Sequence, residues 1–318
     1  MKKFIKNIFI FLGIFIASAV LVLCIDYFYV GNQHLGNYQA SILDKTARYR
    51  SLSSPKIVLA GNSSLAFGIN SKMLQDEMGM PVVNLAFHAG LGNAMNENMI
   101  KLGELGKGDI VIIAHHTFSD QDDIEDPGLA LITLEKHLDL WKIVRPRDLY
   151  GLARAYPDYF KDCLMYKWTD YDDNTVKYDT CYSRGAFNEY GDIYLRIGDK
   201  FQFYPGCIKM PEINDVCINR INELNRYVRS KGAYLVIAAY PIAYGEFTPP
   251  AEEYTVFEQE LRNRVDCDVI SDYTDYLIPY EYFFDATGHL SEEGADIRTE
   301  QLIKDLKAWE VESKYGAQ

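Results

Sequence analysis

The chain has 318 residues and a formal net charge of −13 at pH 7. So acidic a surface repels a phosphate backbone, which disfavours nucleic acid as a partner. Without its apolar N-terminus the chain keeps about 290 residues, enough to bury the core of one large domain. No two cysteines have Cys-x-x-Cys spacing, so we expect no metal knuckle and no cofactor; the cysteines are Cys24, Cys163, Cys181, Cys207, Cys217 and Cys267.

The first predicted element is a helix that spans a membrane. Residues 8–25 carry no charge and would form a helix of about 27 Å, close to the thickness of a bilayer core. Lysines are concentrated in residues 1–7, and Asp26 follows the apolar run. By the positive-inside rule, residues 1–7 are then cytoplasmic and the chain after Asp26 lies outside the cytoplasm.

Two other interpretations of this N-terminus remain open. Ala17-Ser18-Ala19 has the small-x-small form of a signal-peptide cleavage site, and Cys24 stands where a lipoprotein signal would place its cysteine. Apolar residues continue after Ala19, however, and the residue before Cys24 is the bulky Leu23. We therefore predict an uncleaved, single-pass anchor.

The remainder of the chain alternates strands with helices, after a helical or irregular stalk over residues 26–54. One helical pattern opens at Pro211 and ends at Gly232, and another starts near Ser291. Short apolar runs, typical of strands buried on both faces, lie at residues 56–60, 82–86, 109–114, 234–239 and 267–271. This alternation predicts an α/β domain with a parallel sheet over residues 55–318.

A stretch from about residue 119 to residue 210 breaks the alternation and is rich in tyrosine, phenylalanine and tryptophan. We interpret it as an insertion that covers one rim of the sheet. Its rings either form a core of their own, the interpretation we favour, or present a surface on which sugar rings stack. Residues 170–174 are similar to the opening of a calcium loop, but Thr175 stands where that loop needs glycine.

Residues that could take part in catalysis follow the predicted strands, at the edge where ligands gather in open parallel sheets. Ser63 follows the first strand, Gly90 the second, His115 and His116 the third, and Asp285 with His289 comes after the fifth. These residues offer a nucleophile, free backbone N–H groups and a base with its orienting carboxylate. In such a site His289 takes the Ser63 proton while Asp285 holds the imidazole.

Plainer interpretations of the same residues also exist. Residues 61–64, Gly-Asn-Ser-Ser, form an ordinary turn and helix cap in many proteins. His88, His115, His116 and Asp120 together suggest a metal site, but adjacent histidines on a strand point to opposite faces. We therefore prefer the serine chemistry to the metal.

The order of these segments resembles the SGNH (GDSL-like) hydrolase superfamily. The resemblance rests on Gly61-Asn62-Ser63 at the first strand-to-helix turn, on residues 84–90, and on an aspartate shortly before His289. It covers about residues 56–120 and 232–308 and leaves the aromatic stretch outside.

By this resemblance the fold is a flavodoxin-like three-layer α/β/α sandwich. The resemblance also implies that Ser63 is the nucleophile, His289 the base and Asp285 its partner. The backbone N–H groups of Ser63 and Gly90 would then bind the oxyanion.

Three departures from the superfamily pattern stand out. Its third block usually supplies an oxyanion-binding asparagine, whereas this chain has His115 and His116 there, so a histidine N–H would have to substitute. Asp285 precedes His289 by four residues where three is common. Asn62 replaces the commoner aspartate beside the nucleophile, a change that many relatives tolerate, and we count Asn62 among the candidates for oxyanion or substrate binding.

An N-terminal anchor on such a domain is similar to the branch that modifies cell-envelope polymers, including the D-alanyl-lipoteichoic acid biosynthesis protein and polysaccharide O-acetyltransferases. That likeness implies an extracytoplasmic serine esterase or O-acyltransferase with an acyl-enzyme on Ser63. Its partners would be an envelope glycan or its acyl donor, including a membrane-bound acyltransferase. The alternative is a catalytically inactive scaffold or glycan-binding component of an envelope polysaccharide assembly system.

Overall fold

The computed structural model describes residues 1–119, 122–169 and 171–315. Asp120 and Asp170, which the metal and calcium interpretations require, lie outside the described residues. The strands are β1 (Ile57–Ala60), β2 (Val82–Asn84), β3 (Ile110–Ile113), β4 (Tyr234–Ile237), β5 (Ile242–Tyr244), β6 (Asp268–Val269) and β7 (Leu277–Pro279). The α-helices are α1 (Lys2–Cys24), α2 (Ser41–Ser51), α3 (Ser63–Ala66), α4 (Ser71–Met78), α5 (Gly92–Asn98), α6 (Pro127–Leu134), α7 (Leu149–Trp168), α8 (Asp215–Ser230), α9 (Ala251–Arg264) and α10 (Glu292–Tyr315).

The core of the domain is a parallel sheet with strand order β2-β1-β3-β4-β6. Every neighbouring pair is parallel, with Ile57 opposite Val82 on one side and Ile110 on the other. β1 and β3 are buried throughout, as expected of strands covered on both faces. The prediction of an α/β domain with a parallel central sheet is therefore confirmed, and all five predicted strands are present.

A second, two-stranded parallel sheet joins β5 to β7. The sequence analysis did not predict it, because each strand is only three residues long and offers no extended apolar run. This small sheet forms its own apolar cluster with Phe283 and Leu290, which flank the segment that carries Asp285 and His289.

Helix α8 begins later than the sequence pattern predicts. The pattern opens at Pro211, whereas the helix begins at Asp215, because the Asn214 side chain accepts a hydrogen bond from the Cys217 N–H at 2.8 Å. Such a cap satisfies one of the free N–H groups of the first turn. Ile213, just before the cap, instead pairs with Phe118 in an isolated parallel bridge.

Helix α1 is long and apolar enough to cross a membrane, a property that membrane anchors share with signal sequences. It continues as a π-helical turn over Ile25–Val30. The predicted stalk of residues 26–54 does not stand apart from the domain. Val30, Ile42 and Tyr49 are buried in the main core, so this segment belongs to the domain.

The connection between β3 and α8 contains α6 and α7, which pack against each other, followed by a largely irregular segment. This connection returns to the sheet at Asp192, whose carboxylate accepts hydrogen bonds from Ser71 and from the Asn84 side chain at 2.6 and 2.8 Å. Tyr159 in α7 is buried, but other rings of the connection are exposed: Tyr150, Trp168, Tyr171, Tyr178, Tyr182, Tyr194 and Tyr204.

Candidate active site

Ser63 is the first residue of α3, directly after the tight turn that follows β1. The turn is fixed by Asn62, whose side-chain oxygen accepts a hydrogen bond from the Ser64 N–H at 3.0 Å and so caps the short helix. Because β1 ends at Ala60, this turn places Ser63 at the carboxyl edge of the sheet.

Ser63, His289 and Asp285 form a continuous hydrogen-bonded chain. His289 Nε2 lies 2.8 Å from Ser63 Oγ, and His289 Nδ1 lies 2.7 Å from Asp285 Oδ1. The Phe67 ring stacks on the imidazole with ring centroids 4.0 Å apart and an angle of 10° between the planes. The geometry matches a nucleophile, a base and an orienting carboxylate, with the base held in place by the phenyl ring.

The spacing of four residues between Asp285 and His289 does not prevent their contact. The His289 N–H donates to the Ala286 carbonyl at 3.2 Å, and the Phe284 N–H donates to the His289 carbonyl at 2.8 Å. These two backbone bonds close a turn that accommodates the extra residue. The turn therefore compensates for the extra residue, and the two side chains still reach hydrogen-bond distance.

Tyr182 is a member of the site that the sequence analysis missed. Its hydroxyl donates a short hydrogen bond to Asp285 Oδ2, the oxygen that His289 leaves free. The Tyr182 ring is about half exposed, yet its partial burial, and then this bond, raises the pKa of Tyr182 well above its ordinary value, so the phenol keeps its proton. Burial alone would raise the pKa of Asp285, but the bonds from His289 and Tyr182 outweigh it and hold that pKa below its ordinary value.

Replacement of Tyr182 by phenylalanine is expected to slow the reaction of Ser63 with a fluorophosphonate by about tenfold. The change removes one charge-assisted hydrogen bond from Asp285, a loss of about 1.5 kcal/mol. The rate of covalent labelling measures it. Tyr194→Phe, in the same segment but without the Asp285 contact, is the matched control, and equal rates for the two variants would count against a positioning role for Tyr182.

His116 lines the cavity beside Ser63 and His289. Its Nδ1 lies 3.3 Å from the Asn62 side-chain nitrogen. Because the Asn62 oxygen is already engaged by Ser64, the amide nitrogen must donate, and His116 Nδ1 must accept. Burial lowers the pKa of His116 to about 4, so the ring is neutral near pH 7 and carries its proton on Nε2.

His115, the neighbouring histidine, is not part of the cavity. It lies two residues beyond the end of β3, and its Nε2 lies 2.6 Å from the buried Glu97 carboxylate. Glu97 is in turn paired with Arg220. The structure therefore does not bring His115, which the sequence predicted as an oxyanion donor, into the cavity.

Gly90 also differs from its predicted role. Its N–H donates to His88 Nδ1 at 3.0 Å, so that group is already bonded. Ala89, one residue earlier, lines the cavity instead. The loop after β2 thus supplies a small residue to the site as expected, but at a register shifted by one position.

The cavity has a volume of about 540 Å³, within the usual range for small-ligand sites. One wall comes from the segment that precedes α8 and contributes Ile208, Lys209 and Met210. Ile242 and Ala243 of β5 supply further apolar surface. The site therefore combines a polar reactive end with room for an apolar group.

Within the described ranges, no group of three or more histidine, cysteine, aspartate or glutamate side chains is placed to hold a metal ion.

The chain matches no protein-family model, and a search of curated proteins finds no match either.

Proposed function

We propose that this chain is a membrane-anchored, extracytoplasmic serine esterase or O-acyltransferase that acts on acyl groups of cell-envelope polysaccharide. The observation that carries the proposal is the hydrogen-bonded chain from Ser63 through His289 to Asp285, at 2.8 and 2.7 Å. Such a chain, open to a cavity, is the arrangement that activates a serine hydroxyl for acyl transfer.

The reaction begins when Ser63 Oγ attacks the carbonyl carbon of an ester and its proton passes to His289 Nε2. The ester C–O bond then breaks, and the departing sugar oxygen takes the proton from His289, which leaves an acyl group on Ser63. In the second half, water or another hydroxyl attacks this acyl-enzyme while His289 takes its proton. Ser63 recovers its hydrogen as it leaves, and Asp285 stabilises the imidazolium in both halves.

Three N–H groups are candidates for binding the oxyanion that forms during each attack. They are the backbone N–H groups of Ser63 and Ala89 and the Nε2–H of His116, which all belong to residues lining the cavity. His116 stands where the SGNH pattern has an asparagine. Asn62 supports this role by holding the proton of His116 on Nε2.

The proposal also assigns the domain to the SGNH-like class, with a flavodoxin-like three-layer sandwich and residues 119–210 as an aromatic insertion over one rim. Exposed tyrosines of this stretch, such as Tyr178 and Tyr194, offer flat surfaces on which sugar rings can stack. Helix α1 acts in this proposal as an uncleaved anchor that holds the site outside the cytoplasm, near envelope polymers and a membrane-bound acyl donor.

Reaction of the full-length protein in detergent micelles with a fluorophosphonate tests the proposal. Ser63 Oγ is expected to displace fluoride from phosphorus, and mass spectrometry is expected to locate the adduct on Ser63. Ser64→Ala, one residue away on the same turn, should label like the wild type. A folded wild-type protein that forms no adduct would instead support the inactive, glycan-binding alternative.

A further inference from the structure

The anchor helix is fixed to the domain at the point where it leaves the apolar run. Asp26 is buried and accepts hydrogen bonds from Lys136 Nζ at 2.5 Å and from the Tyr156 hydroxyl at 2.9 Å. Val30, at the end of the π-helical turn, is buried in the main core. Because these contacts leave no free hinge, the direction of α1 sets the orientation of the domain on a bilayer.

The contacts of α7 with this junction determine how deep α7 lies relative to the bilayer. If residues 8–25 fill the bilayer core, residues 26–29 lie in the headgroup layer, where tyrosine and tryptophan are enriched. Tyr156 touches Asp26, and Trp168 Nε1 donates to the Tyr29 hydroxyl at 3.4 Å. The part of α7 from Tyr156 to Trp168 therefore has both of its ends at the depth of the headgroups.

The same contacts also indicate the angle at which α7 crosses the anchor. Tyr156 and Trp168 are separated by about 18 Å along α7, whereas Asp26 and Tyr29 are only three residues apart in the π-helical turn, less than about 5 Å along the anchor axis. A helix parallel to the anchor would meet it over equal lengths. Helix α7 thus crosses the anchor steeply and runs close to the plane of the membrane.

The outward face of α7 has the composition of a helix that lies in a membrane interface. Exposed residues recur every three or four positions: Tyr150, Arg154, Pro157, Lys161, Met165 and Trp168. Tyr150 is 73% exposed, Met165 47% and Trp168 63%, an unusual apolar load for a surface in contact with water. Asp158 and Asp162 flank the stripe, so its attraction to the interface is mainly that of its aromatic and basic side chains.

We propose that this face of α7, from Tyr150 to Trp168, binds the lipid headgroup layer. The domain then touches the bilayer twice, through the spanning helix and through a helix lying flat beside it. Continuity with the anchor identifies lipid as the occupant, because Trp168 and Tyr29 share one hydrogen bond at the same depth. The inference rests on the proposed role of α1 as a membrane anchor and stands apart from the chemistry proposed for Ser63.

Depth-dependent quenching of tryptophan fluorescence tests this contact in the full-length chain. Two single-tryptophan versions are reconstituted in phosphatidylcholine vesicles whose acyl chains are brominated close to the headgroup. One keeps Trp168 (Trp141→Phe with Trp309→Phe), and the other keeps Trp309 (Trp141→Phe with Trp168→Phe). Trp309 contacts Tyr234 and Asp268, the first residues of β4 and β6. It therefore marks the amino edge of the sheet, opposite the carboxyl edge that carries Ser63.

Trp168 is expected to be quenched at least threefold more strongly than Trp309. Equal, weak quenching of the two in vesicles that retain the intact chain would overturn the proposal, as would a mature chain that lacks α1. A cross-link between two α7 helices without quenching would also overturn it, since another copy would then cover the face. If a double substitution prevents folding, Trp168→Phe alone gives the same comparison, because it should remove most of the quenched signal.

Discussion

Replacement of His289 by alanine is expected to slow the reaction of Ser63 with a fluorophosphonate by at least about 10⁴-fold. The imidazole Nε2, 2.8 Å from Ser63 Oγ, is the group placed to accept the hydroxyl proton during attack. Without it, the proton must pass to water, which is a much weaker base. The second-order rate constant of labelling, measured with a fluorescent probe at pH 7.5, reports the effect.

Asp285→Asn sharpens the interpretation of this result. The amide cannot stabilise an imidazolium, so we expect a large loss, but the double variant with His289→Ala should be no slower than His289→Ala alone, because residues of one relay act as a unit. His137→Asn, outside the cavity, is the control for histidine replacement. Losses that simply multiply in the double variant would contradict a shared relay.

Replacement of His116 by phenylalanine is expected to lower the same rate constant by about 10²–10³-fold, the usual cost of losing one oxyanion donor. Phenylalanine keeps the ring but removes the Nε2–H. His116→Asn is expected to stay within about tenfold of the wild type, because its amide also donates a hydrogen bond. Asparagine and phenylalanine therefore form a matched pair in which only one member can bind the oxyanion.

The tautomer of His116 gives an independent check on this role. Nitrogen NMR of labelled protein at pH 7 is expected to show a protonated Nε2 and an unprotonated Nδ1 that accepts from Asn62. Comparable melting temperatures of the two His116 variants would exclude unfolding as the cause of a rate difference. A proton on Nδ1, or equal labelling rates for His116→Phe and His116→Asn, would remove His116 from the oxyanion site.

The parallel sheet could be predicted because strands covered on both faces appear in the sequence as short apolar runs. The same pattern predicts that the His115 and His116 side chains point apart. It does not predict which of them faces the site, because that depends on the helices that cover each face. Gly90 and Ala89 are neighbours in a single 3₁₀ turn, which is too short for a hydrophobic period to fix its register. The structure brings Ser63, Asp285 and His289 together as the order of the segments led us to expect.

Contacts between distant parts of the chain were out of reach of the sequence. Tyr182 meets Asp285 across 103 residues, and nothing sets it apart from the many other tyrosines of its segment. Asp26 meets Lys136 across 110 residues, so residues 26–54 looked like a stalk when their partners were unknown. Local patterns predict elements, whereas such pairs depend on the path of the whole chain.

The burial of Asp26 has a consequence for how this protein can search for its target. A free linker over residues 26–54 could extend about 100 Å and let the domain sample a hemisphere above the membrane. If α1 anchors the domain as proposed, the contacts of Asp26 with Lys136 and Tyr156 would instead keep the cavity at one fixed height while lipid diffusion carries it sideways. Encounter then becomes a two-dimensional process, and the selection of targets depends on how far they stand from the bilayer as well as on their chemistry.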